Sequence, residues 1–358
     1  MLDTPMQINS DPDIDRLIVS DAPVAIGVSG GKDSQAAALA TFHHLDRKGH
    51  CGPRILIHAD LGSVEWEDSL PVCEVLAKHL GCDLVTVQRK AGGMMERWEA
   101  RWQSSKTRYE MLTTVTLVPC WSTPSLRFCT SEQKTHVILA ELKRRFGGQP
   151  VINVTGVRRA ESRKRARMNV ADLDRDGRVW NWRPIIDLSE TEVFAMIVAS
   201  GLAPHRAYRE FGMSRVSCRF CIMSSLPDLT AASAQEETHD IYRRMVALEA
   251  DSAFAFQGAR WLADIAPHLL DAGLTERIAE AKEIARARRE LEGALTPGML
   301  YVKGWPTRML TDEEAETLSF VRRYTSGLYG FQSRFIYPEE IHQRYSELMD
   351  QNAQRLAA

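Results

Sequence analysis

No stretch of this chain approaches the ~20 consecutive apolar residues that a bilayer-crossing helix needs, so no such helix is expected. The opening MLDTPMQINSDPDID is polar and acidic, unlike a secretory leader, and a cytoplasmic location with no membrane partner is expected. Charge of one sign is also lacking. A formal net charge of −2 gives no global signature of a nucleic-acid binder. Seven cysteines in 358 residues are too few and too scattered for a disulfide framework. Internal repeats and low-complexity tracts are absent, which excludes a repeat array. The GxxxxGK[ST] loop of kinases and GTPases is absent as well.

What is present is alternation. Apolar strand-like runs at 24–28, 54–59, 84–88 and 151–155 are separated by helical patterns at 35–46, 67–80 and 134–146, after a short helical lead-in over 1–20. Such alternation predicts a mostly parallel sheet with helices on both faces, and ligands beyond the carboxyl ends of the strands. Ser29, the stretch 58–60 and the stretch 156–159 all fall at such ends, so three segments are expected to converge on one crevice. Residues 92–123, with Trp98, Trp102 and Trp121, read either as a helical insertion over the active face or as a packing hairpin. From about residue 226 the pattern is helical, over 231–250, 259–269 and 275–295, with at least two further helices. The expected division is therefore 1–225 for an α/β domain that carries the strand-end crevice and 226–358 for an all-α C-terminal region.

The string SGGKDS at 29–34 follows the first strand and opens an alanine-rich helix. Gly30 and Gly31 have no Cβ and let a ligand approach the backbone. The free amides of the helix start and the Lys32 ammonium make an anion site, to which Ser29 and Ser34 add hydroxyls. Asp33 follows the lysine. His58 and Asp60 end the second strand, where a carboxylate can hold Mg²⁺ or ribose hydroxyls; alternatively Ser63 caps a helix with Glu65 and Glu67 in its first turn. RFCTSEQK brings Arg127 and Lys134 toward the crevice, with Thr130 as an expected N-cap. In GVRRAESRKRAR, Gly156 permits a tight turn. Arg158, Arg159 and Arg165 can fork onto anionic oxygens there, and Glu161 can orient one of them. Residues 142–183 hold twelve Lys/Arg against four Asp/Glu, a local positive excess suited to a polyanion. Ser189 with Glu192 forms a capping box, and Asp187 is the functional candidate beside it.

Cys51, Cys73 and Cys82 read as single buried thiols. Cys120 and Cys129, spaced C-x8-C, and Cys218 and Cys221, spaced C-x2-C, form a separate set able to hold a [4Fe–4S] cluster, or zinc as the lesser alternative.

SGGKDS resembles the PP-loop of the ATP pyrophosphatases. DLGSVEWE, RFCTSEQK, GVRRAES and the NWRPIID stretch resemble, in order, motifs of the phosphoadenosine-phosphosulfate reductase family, over residues 24–225. RFCT is typical of that family's DNA-sulfur-modification branch. The resemblance implies an adenine-nucleotide α-hydrolase-like sheet and cleavage of ATP to AMP and pyrophosphate. Lys32, Asp33, Asp60, Arg158 and Arg159 would then be the catalytic set. The reductases of the family carry a nucleophilic cysteine near the C-terminus, and this chain has none after Cys221. Sulfur incorporation into an activated acceptor, as in DNA phosphorothioation, is therefore the leading expectation. Its implied partners are ATP, a nucleic acid (DNA before tRNA) and a cysteine desulfurase. Reduction of adenylyl sulfate and a nucleotide-sensing protein without turnover remain the alternatives.

Overall fold

The computed structural model describes residues 8–357. Two compact units are present. One comprises the residues up to Met95 together with Pro124–His239; the other comprises Glu96–Thr123 and the residues from Asp240 on.

In the first unit the strands β1 (Val24–Val28), β2 (Arg54–Asp60), β3 (Asp83–Gln88), β4 (Val151–Val154), β5 (Ala171–Leu173) and β6 (Val179–Trp182) build one sheet in the order β3-β2-β1-β4-β6-β5. All neighbours run parallel except β5 against β6. Residues of opposite strand parity serve opposite faces. Val24, Ile26, Ile152 and Val154 pack with the alanine-rich side of the helix Lys32–Arg47. Ala25, Ile55, Ile57, Val151 and Val179 pack with Leu142 of the helix His136–Phe146. Alanines 36–38 are fully buried, and their small side chains let the first helix close onto the sheet. The expected α/β class with helices on both faces is observed.

Chain direction across the sheet reverses between β1 and β4: β2 and β3 extend one way, β6 and β5 the other. Such a switch point opens a crevice at the strand carboxyl ends. The loops leaving β1 and β4 flank it, which is why residues 29–34 and 155–158 come together.

The second unit is helical: most of Met94–Glu110, His239–Ser252, Ala272–Glu292, Asp312–Tyr329 and Pro338–Ala357. The tryptophans of 92–123 belong to its core. Trp98 lies 5.2 Å from Trp121, Trp121 lies 5.2 Å from Phe256, and Trp102 lies 6.2 Å from Phe254, centroid to centroid. Arg322, fully buried, donates to the carbonyls of Tyr109, Phe335 and Arg334. No described helix is long and apolar enough to cross a membrane.

Three local expectations are corrected. Residues 259–269 are two 3₁₀ turns in a loop, not a helix, because the buried Glu249 carboxylate takes the amides of Phe256, Leu262 and Ala263 at 2.8, 2.7 and 3.0 Å. The single helix 231–250 is divided into Leu226–Ser233 and His239–Ser252, with the Thr238 hydroxyl 2.8 Å from the carbonyls of Ala232 and Gln235 at the break. Of the three thiols expected to be buried only Cys73 is; Cys51 is exposed and Cys82 half-buried. Residues 1–7 of the expected lead-in lie outside the described residues; the rest forms Pro12–Val19, capped by Asp11.

Candidate nucleotide site

The loop after β1 owes its shape to two glycines. Gly30 has φ +73°, and a Cβ there would sit 2.9 Å from the Ser69 carbonyl oxygen. Gly156 answers from β4: a Cβ on it would lie 2.4 Å from the carbonyl oxygen of Asp33. The two backbones meet directly, so close approach rather than turn freedom is what requires glycine at 156. Ser34 closes the loop from within, donating to the Gly31 carbonyl at 2.8 Å and accepting from the Ser29 amide at 3.2 Å.

Around this junction lies a cleft of about 540 Å³ lined by Ser29, Gly31, Lys32, Asp33, Ser34, Gly156, Arg158, Glu161 and Arg165, with Ser189, Glu190, Tyr208 and Arg215 among its other walls. Lys32 is 4 % exposed; its Nζ is 3.0 Å from Glu190 Oε1 and 4.9 Å from the Tyr208 ring centroid. Burial opposes its charge, but Tyr208, Asp33 and Glu190 together hold its pKa above the ordinary lysine value. Arg158 pairs with Asp33, and its amide donates to Glu161 Oε2 at 2.8 Å. Glu161 in turn pairs with Arg165. Lys32, Arg158 and Arg165 are thus each held by a carboxylate that an incoming anion can replace.

A second lobe of about 310 Å³ shares Ser29, Ser34 and Gly156 with the first. Its walls are largely apolar or amide: Gly27, Val28, Ala59, Ile138, Leu139, Asn153 and Asn181. Lys134 and Thr135 enter it from a π-helical turn, Ser131–Thr135, that interrupts the expected regular helix, and Thr130 enters from the helical turn Phe128–Thr130 just before it. Helical turns begin at Phe128, so Thr130 is not an N-cap. It has helical φ and ψ, and its hydroxyl accepts from Arg127 Nη2 at 3.1 Å.

Other expected site residues lie elsewhere. Among the described residues, the walls of the two lobes do not include Arg127, Arg159, His58 or Asp60. Arg159 pairs with Asp187, which also accepts from Asn9 Nδ2 at 2.8 Å. Asp60 accepts from the Gly62 amide at 2.7 Å and from Gln88 Nε2 at 3.2 Å. His58 is buried, with Nδ1 3.1 Å from the Val28 carbonyl and Nε2 3.1 Å from Glu65 Oε2. Both nitrogens face acceptors, so both donate. Burial disfavours the charge, but contacts with Cys73 and Glu65 outweigh it and raise the pKa to about 10. Ser63 caps no helix; it sits in a 3₁₀ turn, and the next helix starts at Ser69.

Sequence reasoning missed Glu190, Tyr208, His205 and Arg215. Glu190 carried a signal, an acid in the first turn after a capping box, but it was attributable to the helix itself. Tyr208 donates no such pattern; its hydroxyl accepts from the amides of Val216 at 3.0 Å and Lys32 at 3.4 Å. His205 is buried, accepts from the Ala207 amide at 3.0 Å through Nδ1, and burial lowers its pKa to about 4.

Of the four cysteines, three share one neighbourhood in the first unit. Burial pushes the Cys218 thiol up, and the charges of Cys221 and Cys129 add to that while Lys134 opposes it. Such mutual repulsion among thiolates is what a bound cation relieves, so the donor chemistry suits a thiophilic metal. Among the described residues, however, no three His, Cys, Asp or Glu close into a group that could hold a metal ion. Cys120 belongs to the second unit, fully buried, its Sγ 3.7 Å from Ser252 Oγ, and burial pushes its thiol up to about 12. The fourth ligand expected from the C-x8-C spacing is thus engaged in packing.

The family model for the phosphoadenosine phosphosulfate reductase domain matches residues 23–224, more than half of the chain. The chain belongs to that family. It is therefore placed among PP-loop enzymes that use nucleotides in sulfur chemistry. A search of curated proteins finds no match. Similar solved structures include a phosphoadenylyl-sulfate reductase from Candida auris in a phosphate complex, 12% identical over 59% of this chain and 97% of that one, TM-score 0.38. A U34-tRNA thiolase from Methanococcus maripaludis with its [4Fe-4S] cluster is 14% identical over 72% and 88%, TM-score 0.35. An NH3-dependent NAD synthetase from Campylobacter jejuni in complex with nitrate is 14% identical over 81% and 96%, TM-score 0.32.

Proposed function

We propose that this protein cleaves ATP to AMP and pyrophosphate in order to activate an acceptor for sulfur incorporation, with DNA as the acceptor. The observation that carries the nucleotide half is the junction of the SGGKDS loop with Gly156–Arg158, which surrounds one cleft with Lys32, Arg158 and Arg165. In this reading the triphosphate occupies the charged lobe and the base the smaller one. Lys32 and the loop amides hold the pyrophosphate; Arg158 and Arg165 leave Asp33 and Glu161 to neutralise charge that develops at the α-phosphate and on the leaving group. Mg²⁺ bound with ATP would supply further charge neutralisation, and Asp33 is the carboxylate of the cleft that would hold it. Asp33 thereby takes the place first assigned to Asp60, whose oxygens bond Gly62 and Gln88.

For the sulfur half, an iron–sulfur cluster on Cys129, Cys218 and Cys221 would carry or position sulfur, and binding it would require these thiols to draw together, since among the described residues no three metal-ligating side chains close into a group. The RFCT stretch at 127–130 and the local positive excess over 142–183 support transfer over sulfate reduction. Arg163, Lys164 and Arg167, all exposed, are the residues assigned to the nucleic-acid backbone.

The test of the acceptor uses anaerobically reconstituted protein with ATP, a cysteine desulfurase and ³⁵S-cysteine, offered duplex DNA or tRNA. Label in DNA, lost when Arg163, Lys164 and Arg167 are all changed to Glu and falling steeply with salt, is the expected result. Label in tRNA alone would overturn the DNA assignment.

A further inference from the structure

The smaller lobe contains a polar chain whose direction can be read from its far end. Arg183 Nη2 lies 2.6 Å from Asp172 Oδ2. Asp172 Oδ1 accepts from Asn181 Nδ2 at 3.1 Å, and Asn181 Oδ1 accepts from Asn153 Nδ2 at 2.9 Å. These residues are cross-strand partners, Asp172 on β5 opposite Asn181 on β6, and Asn181 opposite Asn153 on β4. Sheet register therefore holds the chain in place.

An asparagine amide is symmetric in shape, so its orientation follows from its partners. A guanidinium only donates, so the Asp172 carboxylate facing it only accepts. Asn181 must then turn its NH₂ toward Asp172 and its oxygen toward Asn153. Asn153 must turn its NH₂ toward Asn181. One group remains: Asn153 Oδ1, which has no donor among the described residues, on a side chain that lines the lobe. The chain delivers an acceptor, of fixed polarity, to the floor of an otherwise largely apolar pocket.

We infer that Asn153 Oδ1 is the base-reading group of this site. It accepts from the exocyclic amine at position 6 of adenine and rejects 6-oxopurine nucleotides, with Asn181 and Asp172 as positioning residues. Inosine and guanosine nucleotides carry a carbonyl at that position. Two acceptors would then face one another, and the chain cannot turn over to supply a donor, because its outer end is a carboxylate. Leaving a buried acceptor unpaired against a carbonyl is the kind of mismatch that discriminates ligands strongly. This inference rests on the nucleotide reading above and adds the residues that select its base.

The test is calorimetric titration of the full chain with ATP and with inosine 5′-triphosphate, reading the ratio of the two Kd values. For the wild type, ATP binds tighter by about 10- to 100-fold. Asn153→Leu brings the ratio to within about twofold; should that variant fail to fold, Asn153→Ser carries the same expectation. Asn181→Leu frees the Asn153 amide to turn over, so the inosine nucleotide gains and the ratio falls below about threefold while ATP still binds. A purely structural role for Asn181 would weaken both nucleotides and leave the ratio intact, which would overturn the positioning role. Equal Kd values for the two nucleotides in the wild type would overturn the inference alone. Binding of neither nucleotide would overturn the nucleotide reading and this inference with it.

Discussion

The Lys32 ammonium is held 3.0 Å from Glu190 Oε1, while Asp33, its neighbour in sequence, is held by Arg158. An anion entering the cleft has to displace Glu190, which is 56 % exposed and free to swing into solvent. Glu190→Gln should therefore tighten pyrophosphate binding, by about two- to fivefold given the worth of a partly exposed ion pair. Lys32→Ala should weaken ATP turnover on the order of 100-fold. Titration with pyrophosphate and steady-state rates check both; weaker pyrophosphate binding by Glu190→Gln would show that this carboxylate serves the ligand rather than competing with it.

Gly156→Ala should disrupt the junction between the two loops. Its Cβ would fall 2.4 Å from a backbone oxygen and 2.8 Å from the Ser34 amide nitrogen, neither of which can step aside alone. A loss of about 1–3 kcal/mol in unfolding free energy is expected, together with loss of nucleotide binding. Urea unfolding and ATP titration measure the two effects. Unchanged ATP affinity would separate Gly156 from the site.

The same glycine shows what the sequence could convey. Its place after an apolar run was legible because strands of a parallel sheet are buried on both faces and read as continuous hydrophobic stretches. The loop 29–34, the charged segment from Gly156 and the sheet class were readable for that reason. Arg159 and Arg158 were indistinguishable in sequence, since only the fold decides which one turns toward Asp33 and which toward Asp187. Asp60 stands at a strand end as expected, yet its oxygens bond Gly62 and Gln88, a local pattern open to any Asp before a turn. Cys120 was grouped by spacing, although its segment folds with helices more than a hundred residues later in the chain.

Iron content separates those cysteines. After anaerobic reconstitution, the wild type should hold about 4 Fe per chain and absorb at ~400 nm. Ser at Cys129, Cys218 or Cys221 should remove most of the iron, whereas Cys120→Ser should retain it. Loss of iron in Cys120→Ser, with an unfolding midpoint like the wild type's, would restore Cys120 as a ligand.

Two histidines should shape stability from opposite sides. His58 has a folded pKa raised to about 10, so its contribution is complete below about pH 6.5 and is lost as pH rises through about 10. His205 has a folded pKa lowered to about 4, so its contribution is complete above about pH 6.5 and is lost as pH falls toward about 4. Urea midpoints measured across pH should show a shallower alkaline limb for His58→Gln and a shallower acid limb for His205→Gln. An alkaline limb unchanged in His58→Gln would mean that its imidazole is not charged in the fold.

The bond broken in ATP tests the central claim most directly. Incubating the protein with ATP and Mg²⁺ and following the products by ³¹P NMR should show AMP and pyrophosphate appearing together, and Lys32→Ala should abolish most of both. ADP with inorganic phosphate as the main products would contradict the account.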